Sequence, residues 1–285
     1  SGVYVIDDKL IEDTAAGKGG MEHPSNLGVQ LARELQKEFG GRIFMVDPPC
    51  VDELCDMARM TGIDGVPRHT NMHALNLRGV AMHHAKHVLG KKYEDCCFIV
   101  CHIDGGISVS AHRYGRIIDC NDAAGGDGPY TPTRIGSVSV ADILEYVRDK
   151  DIDEVKKLCT RTGGFVSHFG TSSSDAVHKM AEEGDKKAIR VWDGMKYQIV
   201  KYIGAMAAVL GGRVDGILLT GGLLRFEDIT QTIREQCEWI APVSTYPGEV
   251  EHEALAAGAL RVLRGEEEPK HYTGRPVWDG WHDDD

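Results

Sequence analysis

Residues 96–120 read CCFIVCHIDGGISVSAHRYGRIIDC, and this stretch decides the fold. Its apolar beginning, residues 97–103, predicts a buried strand. Residues 108–120 predict a hairpin that turns near residues 114–115. The strand and the hairpin are joined by the Asp-Gly-Gly turn at residues 104–106. The sequence therefore predicts a sheet with a glycine turn at one edge.

Outward from this stretch, strand-like and helix-like patterns alternate along the chain. A long apolar helix, predicted over residues 187–210, precedes a strand at 214–219. The last firm element is a helix at 253–264. Such alternation predicts an α/β fold. The antiparallel hairpin argues against a plain doubly wound sheet.

Two further helices carry distinctive side chains. One, predicted over residues 73–89, is rich in histidine, and we interpret its histidines as mostly a solvated face because they lack a metal-binding spacing with carboxylates. They are His73, His83, His84 and His87. The other helix has an apolar residue at every fourth position, which predicts one apolar stripe. The stripe consists of Leu27, Leu31, Leu35 and Phe39.

Composition argues against several classes of function. The net charge is −12, and no basic block occurs, which argues against binding to nucleic acid or to an anionic membrane surface. The eight cysteines form no CxxC pair, and several lie inside apolar runs. This use of cysteine favours a reducing cytoplasm over a disulfide framework. The most apolar stretch, residues 202–212, is far too short to span a bilayer.

A first glycine pair follows the predicted strand. Gly105 and Gly106 let the backbone approach a phosphate, and Ser108 adds a hydroxyl and N–H donors. A tight β-turn without a ligand has the same sequence, and for this pair alone we favour the plain turn.

A second glycine pair favours a ligand-binding site over a plain turn. Gly221 and Gly222, followed by Leu223, lie between the strand at 214–219 and a helix predicted from about residue 226. Strand, glycines and helix N-terminus in this order hold anionic or nucleotide ligands. The two pairs together predict a nucleotide cleft.

The loop at residues 118–134 supplies a candidate cation. It is too rich in Gly, Pro and short polar residues to be core, which is common in functional loops and in plain surface connections. Arg134 is its best candidate for gripping a phosphoryl group, because guanidinium binds phosphate oxygens bidentately. The alternative is an ordinary solvated arginine.

Several runs together resemble the butyrate kinase family, and matching runs extend from about residue 2 to residue 272. They are HIDGGISVSAHRYGRIIDCNDAAGGDGPYTPTR (102–134), EHPSNLG (22–28), LLTGGL (218–223), IAPVSTYPGE (240–249) and EALAAGALRVLRGEE (253–267). That family belongs to the acetate kinase branch of the sugar kinase, heat-shock ATPase and actin superfamily. The resemblance is far more specific than either glycine pair.

The resemblance implies a two-lobed, actin-like α/β fold. Residues 1–47 with 253–285 would form a first, truncated lobe, and residues 48–252 the second, nucleotide-binding lobe. The implied cofactors are ATP/ADP and Mg²⁺. The implied reaction is reversible phosphoryl transfer from ATP to a short-chain fatty carboxylate, giving an acyl phosphate and ADP. A homo-oligomer is also implied.

The resemblance also assigns roles to individual residues. The implied catalytic residues are Arg134, His102, His23 and Asn26. The implied nucleotide-binding residues are Gly105, Gly106, Ser108, Gly221, Gly222 and Leu223. The implied metal-binding residues are Asp47 and, at the last helix, Glu251 or Glu253.

Structural alternatives exist for several of these roles. His23 precedes Pro24 and, without the resemblance, is better explained as a helix-entry residue. Asp47 could simply cap the turn into the following prolines. Glu251 and Glu253 could complement the dipole of the last helix and do nothing else.

The sequence departs from the family pattern at its beginning. The family's first lobe opens with an antiparallel meander that bears a phosphate loop, whereas this chain has only 24 residues before the helix at Ser25. We therefore expect a separate polypeptide or a symmetry mate to lie against the strand at residues 3–6. From a different class of function, the alternative is a non-catalytic or degenerate subunit that serves assembly or nucleotide sensing.

The second departure is Asp104, where the family motif usually has Gly. A carboxylate in a phosphate-binding turn repels phosphate unless something compensates. We expect Asp104 to turn away from the phosphates and to bond a neighbouring backbone N–H, as Asp often does in turns. The alternatives are that it recruits Mg²⁺ or that the nucleotide site is weakened. Acyl-chain preference (acetate, propionate, butyrate or branched) is left open.

Overall fold

The computed structural model describes residues 1–18 and 25–281. These residues form two compact units, Ser1–Asp52 with Glu251–Asp285 and Glu53–Val250. The predicted lobe boundaries lie at 47/48 and 252/253. The assignment of the units as a first lobe and a nucleotide-binding lobe stays a prediction.

The described residues form seven strands and eleven α-helices. The strands are Val3–Val5 (β1), Phe44–Val46 (β2), Cys97–Ile103 (β3), Ile107–Arg113 (β4), Arg116–Cys120 (β5), Gly216–Gly221 (β6) and Val243–Pro247 (β7). The helices are Asp8–Ala15 (α1), Ser25–Phe39 (α2), Asp56–Arg59 (α3), Ala74–His84 (α4), Val140–Val147 (α5), Ile152–Thr160 (α6), Gly164–Phe169 (α7), Ser174–Glu182 (α8), Lys186–Val209 (α9), Glu227–Cys237 (α10) and Glu251–Leu263 (α11). None of these helices is both long and apolar enough to cross a membrane.

The larger unit is built on one mixed sheet with the strand order β5-β4-β3-β6-β7. Strand β3 pairs with β4 antiparallel and with β6 parallel, and β6 pairs with β7 parallel. Both β3 and β6 are buried along their whole length, as strands inside a covered sheet are. Since β3, β6 and β7 run in the same direction, their carboxyl ends lie at one edge of the sheet.

The predicted hairpin is confirmed. Strands β4 and β5 pair antiparallel, with a register shift between Ala111 and His112. The turn between them passes through Tyr114, at φ +49°, and Gly115, at φ +83°. Left-handed backbone of this kind is what a tight hairpin turn requires, and Gly adopts it without strain.

Helix α9 covers one face of this sheet, as its predicted length and apolar character require. Met195, Ile199 and Ile203 are fully buried on its inner side. Phe165 of α7 belongs to the same core cluster. This packing on β3, β4 and β5 holds the middle of the sheet rigid, so that the loops at its edge have a fixed base.

The smaller unit has its own two-stranded sheet. Val3 pairs with Val46, and α11 packs closely against β2 because Gly258 has no side chain. A Cβ at Gly258 would lie 2.7 Å from a methyl of Val46. Leu10 of α1 and Val29 of α2 form a separate small buried cluster.

Helix α2 buries a different face from its apolar stripe. Val29 is buried against α1, whereas the stripe residues are between 48% and 73% exposed. Periodicity therefore predicted the helix correctly, but it did not indicate which of its faces is covered within this unit.

The interpretation of the histidine-rich helix is wrong for two of its four histidines. His83 and His87 are exposed, as expected. His84 is buried, and its Nδ1 lies 2.6 Å from the hydroxyl of Tyr246. His73 lies before the first turn of α4 and stacks on His102. Packing and hydrogen bonds thus favour the rings of His73 and His84 inside the protein over exposure to water.

A pH-dependent stability follows from the buried His112. Its ring nitrogens bond Tyr93 and Ser110, and burial, with the charge of Arg78, holds its pKa well below 6.5. The unfolded chain takes up a proton at this imidazole below pH 6.5, but the folded chain does not. We expect the free energy of unfolding to fall by about 1 to 2 kcal/mol from this residue alone between pH 6.5 and 5.

Urea denaturation at several pH values measures this slope. In His112→Gln, the slope should be smaller by the contribution of one proton, although the variant is less stable at every pH. The control is His87→Gln, which changes an exposed side chain and should keep the full slope. An unchanged slope in His112→Gln would contradict the assignment.

Candidate active site

Two glycine turns meet at the carboxyl edge of the larger sheet. The first glycine turn is residues 104–106, after β3, and the second is Gly221 and Gly222, at the end of β6. The carboxylate of Asp104 joins them, since it accepts from the N–H of Gly105 and from the N–H of Gly222, both at 2.7 Å. Residues 118 positions apart in the chain are thereby held in contact.

Glycine is required in the second turn for two physical reasons. Gly221 has φ +107°, which L side chains rarely adopt, and it packs directly on the backbone of Ile103. At Gly222, a Cβ would lie 2.5 Å from Oδ2 of Asp104. A side chain at either position would therefore push the two turns apart.

A chain of hydrogen bonds fixes which ring nitrogen of His102 carries the proton. The Asn76 carbonyl oxygen accepts from the N–H of Val250 at 3.0 Å, which sets the orientation of the amide. The Asn76 amide nitrogen then donates to Nδ1 of His102 at 2.7 Å. The neutral ring consequently carries its proton on Nε2. This N–H lies 3.7 Å from the carboxylate of Glu249.

His102 is neutral at ordinary pH because of where it lies. Only 1% of its side chain is exposed, and burial, followed by the charge of Arg134, lowers its pKa to about 4. The ring of His73 stacks on it with centroids 3.8 Å apart. The ring is thus a fixed neutral donor at the sheet edge.

Ser108 supports this stack with its hydroxyl. Ser108 is fully buried, and its Oγ lies 2.9 Å from Nδ1 of His73. The predicted role of Ser108 in nucleotide binding stays a prediction, and the described hydroxyl contact is with His73.

Arg134 is held against the first glycine turn. Its guanidinium lies so close to Gly106 that a Cβ there would be 2.6 Å from Nη1. Nη1 donates to the carbonyl of Ala123, and the buried Nε has no hydrogen-bond partner among the described residues. Burial also lowers the pKa of Arg134 below its usual range. A half-buried cation with an unused N–H is a good partner for an anion.

Thr131 connects the arginine to the turn. Its Oγ1 donates to the carbonyl of Gly105 at 2.6 Å and accepts from the backbone N–H of Arg134 at 3.1 Å. The base of the loop is anchored by Arg68, which bonds Asp119 at 2.7 Å and Asp127 at 3.2 Å. The guanidinium of Arg134 is therefore positioned by the fold.

A cleft of about 300 Å³ opens beside the first glycine turn. It is lined by Asp104, Gly105, Pro132, Thr133, Ser172, Ser173, Ser174, Leu223 and Arg225. The lining combines hydroxyl groups with an apolar wall from Leu223 and a cation at Arg225. Arg225 also forms an ion pair with Asp175 at 2.9 Å. Such a mixed lining suits a ligand with polar and apolar parts.

The remaining predicted residues belong to the smaller unit or are not described. His23 lies outside the described residues, and Asn26 lies in the first turn of α2. Asp47 follows β2 with the unusual backbone angle φ +38°, and its buried carboxylate accepts from the N–H of Gly2 at 2.7 Å. Glu251 and Glu253 lie in the first turn of α11. Their roles stay predictions.

One group of potential metal ligands occurs among the described residues of the larger unit. His102, Asp104 and Glu249 offer atoms that all lie within 4.8 Å of one another. The imidazole, however, presents an N–H to this group and keeps its lone pair on the Asn76 side, so it does not serve as a ligand in this tautomer. The two carboxylates alone provide oxygen atoms, which Mg²⁺ prefers.

Sequence reasoning missed the residues that orient His102. His73 was interpreted as solvated, and neither Asn76 nor Thr131 was singled out. Asn76 gave one usable signal, because it is a polar residue inside an otherwise apolar stretch of helix. Its partners lie too far away along the chain for a sequence pattern to indicate them.

Comparison with known proteins assigns the chain to a family. The sequence model of the Acetokinase family matches residues 66–244. Butyrate kinase 1 of Clostridium acetobutylicum is 43% identical over 274 residues, covering 95% of this chain and 77% of the relative. A protein of Clostridium botulinum named "Probable butyrate kinase" is also 43% identical, over 273 residues, covering 95% of this chain and 76% of that one.

Solved structures agree on the fold. The crystal structure of acetate kinase from Porphyromonas gingivalis has a TM-score of 0.79 at 20% identity, covering 92% of this chain and 75% of that one. A propionate kinase from Francisella tularensis has a TM-score of 0.76 at 16% identity, covering 90% and 74%. The predicted α/β fold of the acetate kinase branch is confirmed. The chain belongs to the acetokinase family and is a carboxylate kinase, a phosphotransferase that uses a carboxyl group as acceptor.

Proposed function

We propose that this protein transfers a phosphoryl group reversibly between ATP and a short-chain fatty carboxylate of the butyrate type. The products of the forward reaction are the acyl phosphate and ADP. The observation that carries the proposal is the meeting of two glycine turns beside a half-buried arginine. The butyrate preference is supported by relatives at 43% identity that are named butyrate kinases.

The nucleotide would bind at the two glycine turns. The N–H groups of Gly105 and Gly222 point to one place at the sheet edge, as donors for phosphate oxygens should. The adjoining cleft has the hydroxyls of residues 172–174 and the apolar wall of Leu223 to accommodate the nucleoside. Gly106 and Gly221 would keep the backbone free of side chains there.

Mg²⁺ is the proposed metal, and the residue types available suit it. Asp47, Glu251 and Glu253 of the smaller unit offer carboxylate oxygens. When bound, the ion would neutralise charge on the phosphates. We keep Asp47 with Glu251 or Glu253 as the proposed ligands.

The reaction requires no strong general base from the protein. A carboxylate acceptor is already a nucleophile, so alignment and charge neutralisation carry the catalysis. Arg134 would supply positive charge to the transferring group from a partly desolvated position, where a charge acts more strongly than in water. His102 would donate a hydrogen bond from Nε2–H to a phosphoryl oxygen and keep its proton, and that protonated nitrogen cannot act as a base. His23 and Asn26 are the proposed acceptor-side residues.

A second candidate function is favoured by one observation. The N–H groups of Gly105 and Gly222, which a phosphate would use, are both bonded to Asp104. A degenerate, non-catalytic subunit of the same fold would have such a filled site. Homo-oligomer formation, a separate polypeptide that supplies an N-terminal segment, and a cytoplasmic location stay predictions.

The proposed reaction is tested with protein purified from its source, together with any polypeptide that accompanies it. Acyl hydroxamate formation from ATP and Mg²⁺ should depend on added carboxylate, and butyrate should give a higher kcat/KM than acetate. Nucleotide binding without any carboxylate-dependent turnover would instead support the non-catalytic alternative.

Replacement of Arg134 should impair the chemical step. Arg134→Ala removes the charge beside the transferring group, and we expect kcat to fall about a hundredfold, or on the order of 3 kcal/mol, with a much smaller change in the KM for ATP. The control is Arg113→Ala, at the opposite end of β4, which should keep its kcat. A normal kcat in folded Arg134→Ala would remove this residue from the mechanism.

Asn76 is proposed as a positioning residue for His102. In Asn76→Asp, a carboxylate accepts from Nδ1–H, so the ring proton moves off Nε2 and the pKa of His102 rises above about 4. Nitrogen-15 NMR of the ring measures the tautomer directly, and kcat should fall together with the loss of the Nε2 proton. If the neutral ring, at a pH above its raised pKa, still carries its proton on Nε2 in this variant, the assigned hydrogen-bond chain is wrong.

A further inference from the structure

The carboxylate of Asp104 lies where an anionic ligand of the two glycine turns would lie. Its Oδ1 accepts from Gly105 N–H and its Oδ2 from Gly222 N–H, each at 2.7 Å. Two oxygens of one negatively charged group thus use one donor from each turn. This is the arrangement that a phosphate bridging the turns would adopt.

No ion pair neutralises the charge of this carboxylate among the described residues. Among the described residues, Asp104 has no Lys or Arg nitrogen within ion-pair distance, so the two backbone N–H groups are its main stabilising contacts. His102 lies nearby, but it is neutral because burial lowers its pKa to about 4. An incoming phosphate would therefore meet an uncompensated negative charge.

We infer that Asp104 is a built-in substitute for the nucleotide phosphate, which occupies the donors of both glycine turns and must be displaced before a nucleotide binds. The inference rests on the proposed nucleotide site and adds how access to it is controlled. Displacement is sterically feasible, because Asp104 is only partly buried and lines the open cleft. A rotated side chain would still leave its charge close by.

The inference differs from the expectation drawn from sequence. The carboxylate does bond a neighbouring backbone N–H, that of Gly105, but it also bonds Gly222 and so occupies the proposed phosphate position. Recruitment of a metal by the group His102, Asp104 and Glu249 is disfavoured, because the imidazole presents an N–H there.

Removal of the carboxylate should raise nucleotide affinity and lower the stability of the nucleotide-free protein. Nucleotide affinity should rise by about ten- to a thousandfold, the range that corresponds to repulsion between unit charges about 4 Å apart. The nucleotide-free protein should melt at a lower temperature, because the two turns lose the group that holds them together. A purely structural role would give only the second effect.

The experiment compares ADP binding to the natural protein and to Asp104→Gly by calorimetry, once with EDTA and once with Mg²⁺. The matched control is Asp215→Gly. Asp215 accepts from the N–H of Cys97 at 2.8 Å, at the opposite end of the same two strands, so this variant loses a carboxylate and a backbone cap of the same kind. Should Asp104→Gly fold poorly, Asp104→Asn removes the charge and keeps one acceptor.

The inference predicts at least about tenfold tighter ADP binding by Asp104→Gly in both solutions, with lower stability without nucleotide. Asp215→Gly should lose stability and keep its ADP affinity. Equal or weaker ADP binding by Asp104→Gly overturns this inference but not the proposed function. Tighter binding that appears only in EDTA also overturns it, because that result would indicate a metal held by Asp104. Absence of ADP binding in all the proteins overturns the proposed function as well.

Discussion

The parallel pairing of β3 with β6 is the contact on which the site depends. His102 lies opposite Thr220 in this pair, so the two strands end at the same level of the sheet. Both strands are wholly buried, and a shift by one residue would turn their apolar side chains out of the core. The register is therefore strongly specified. It places the glycine turn after β3 beside the glycine turn after β6.

Burial determines the charge state of His102 at this edge of the sheet. A fixed tautomer makes His102 a neutral donor, and Arg134 is held as a cation against Gly106. Asp104 places a negative charge beside these two groups, where its carboxylate accepts from the N–H groups of Gly105 and Gly222. In the proposed nucleotide site, phosphate affinity would depend on the balance between the guanidinium and this carboxylate.

Local features of the fold and site could be predicted from the sequence. The apolar run at residues 96–101 indicated β3, and Tyr114 with Gly115 indicated the hairpin turn. The glycine pairs and Arg134, singled out as candidates from the sequence, lie together at one edge of the sheet. Contacts between distant segments could not be predicted in the same way. The bond from Gly222 to Asp104 spans 118 residues, and no local pattern encodes it. Likewise, the stripe on α2 predicted a helix but not its covered face.

A crystal structure of the protein with ADP bound tests the central claim most directly. The account predicts that a phosphate oxygen lies within hydrogen-bond distance of the N–H groups of Gly105 and Gly222, with the carboxylate of Asp104 rotated off both. It also predicts that the guanidinium of Arg134 faces the phosphates. ADP bound elsewhere, with Asp104 still bonded to both glycines, would contradict the account.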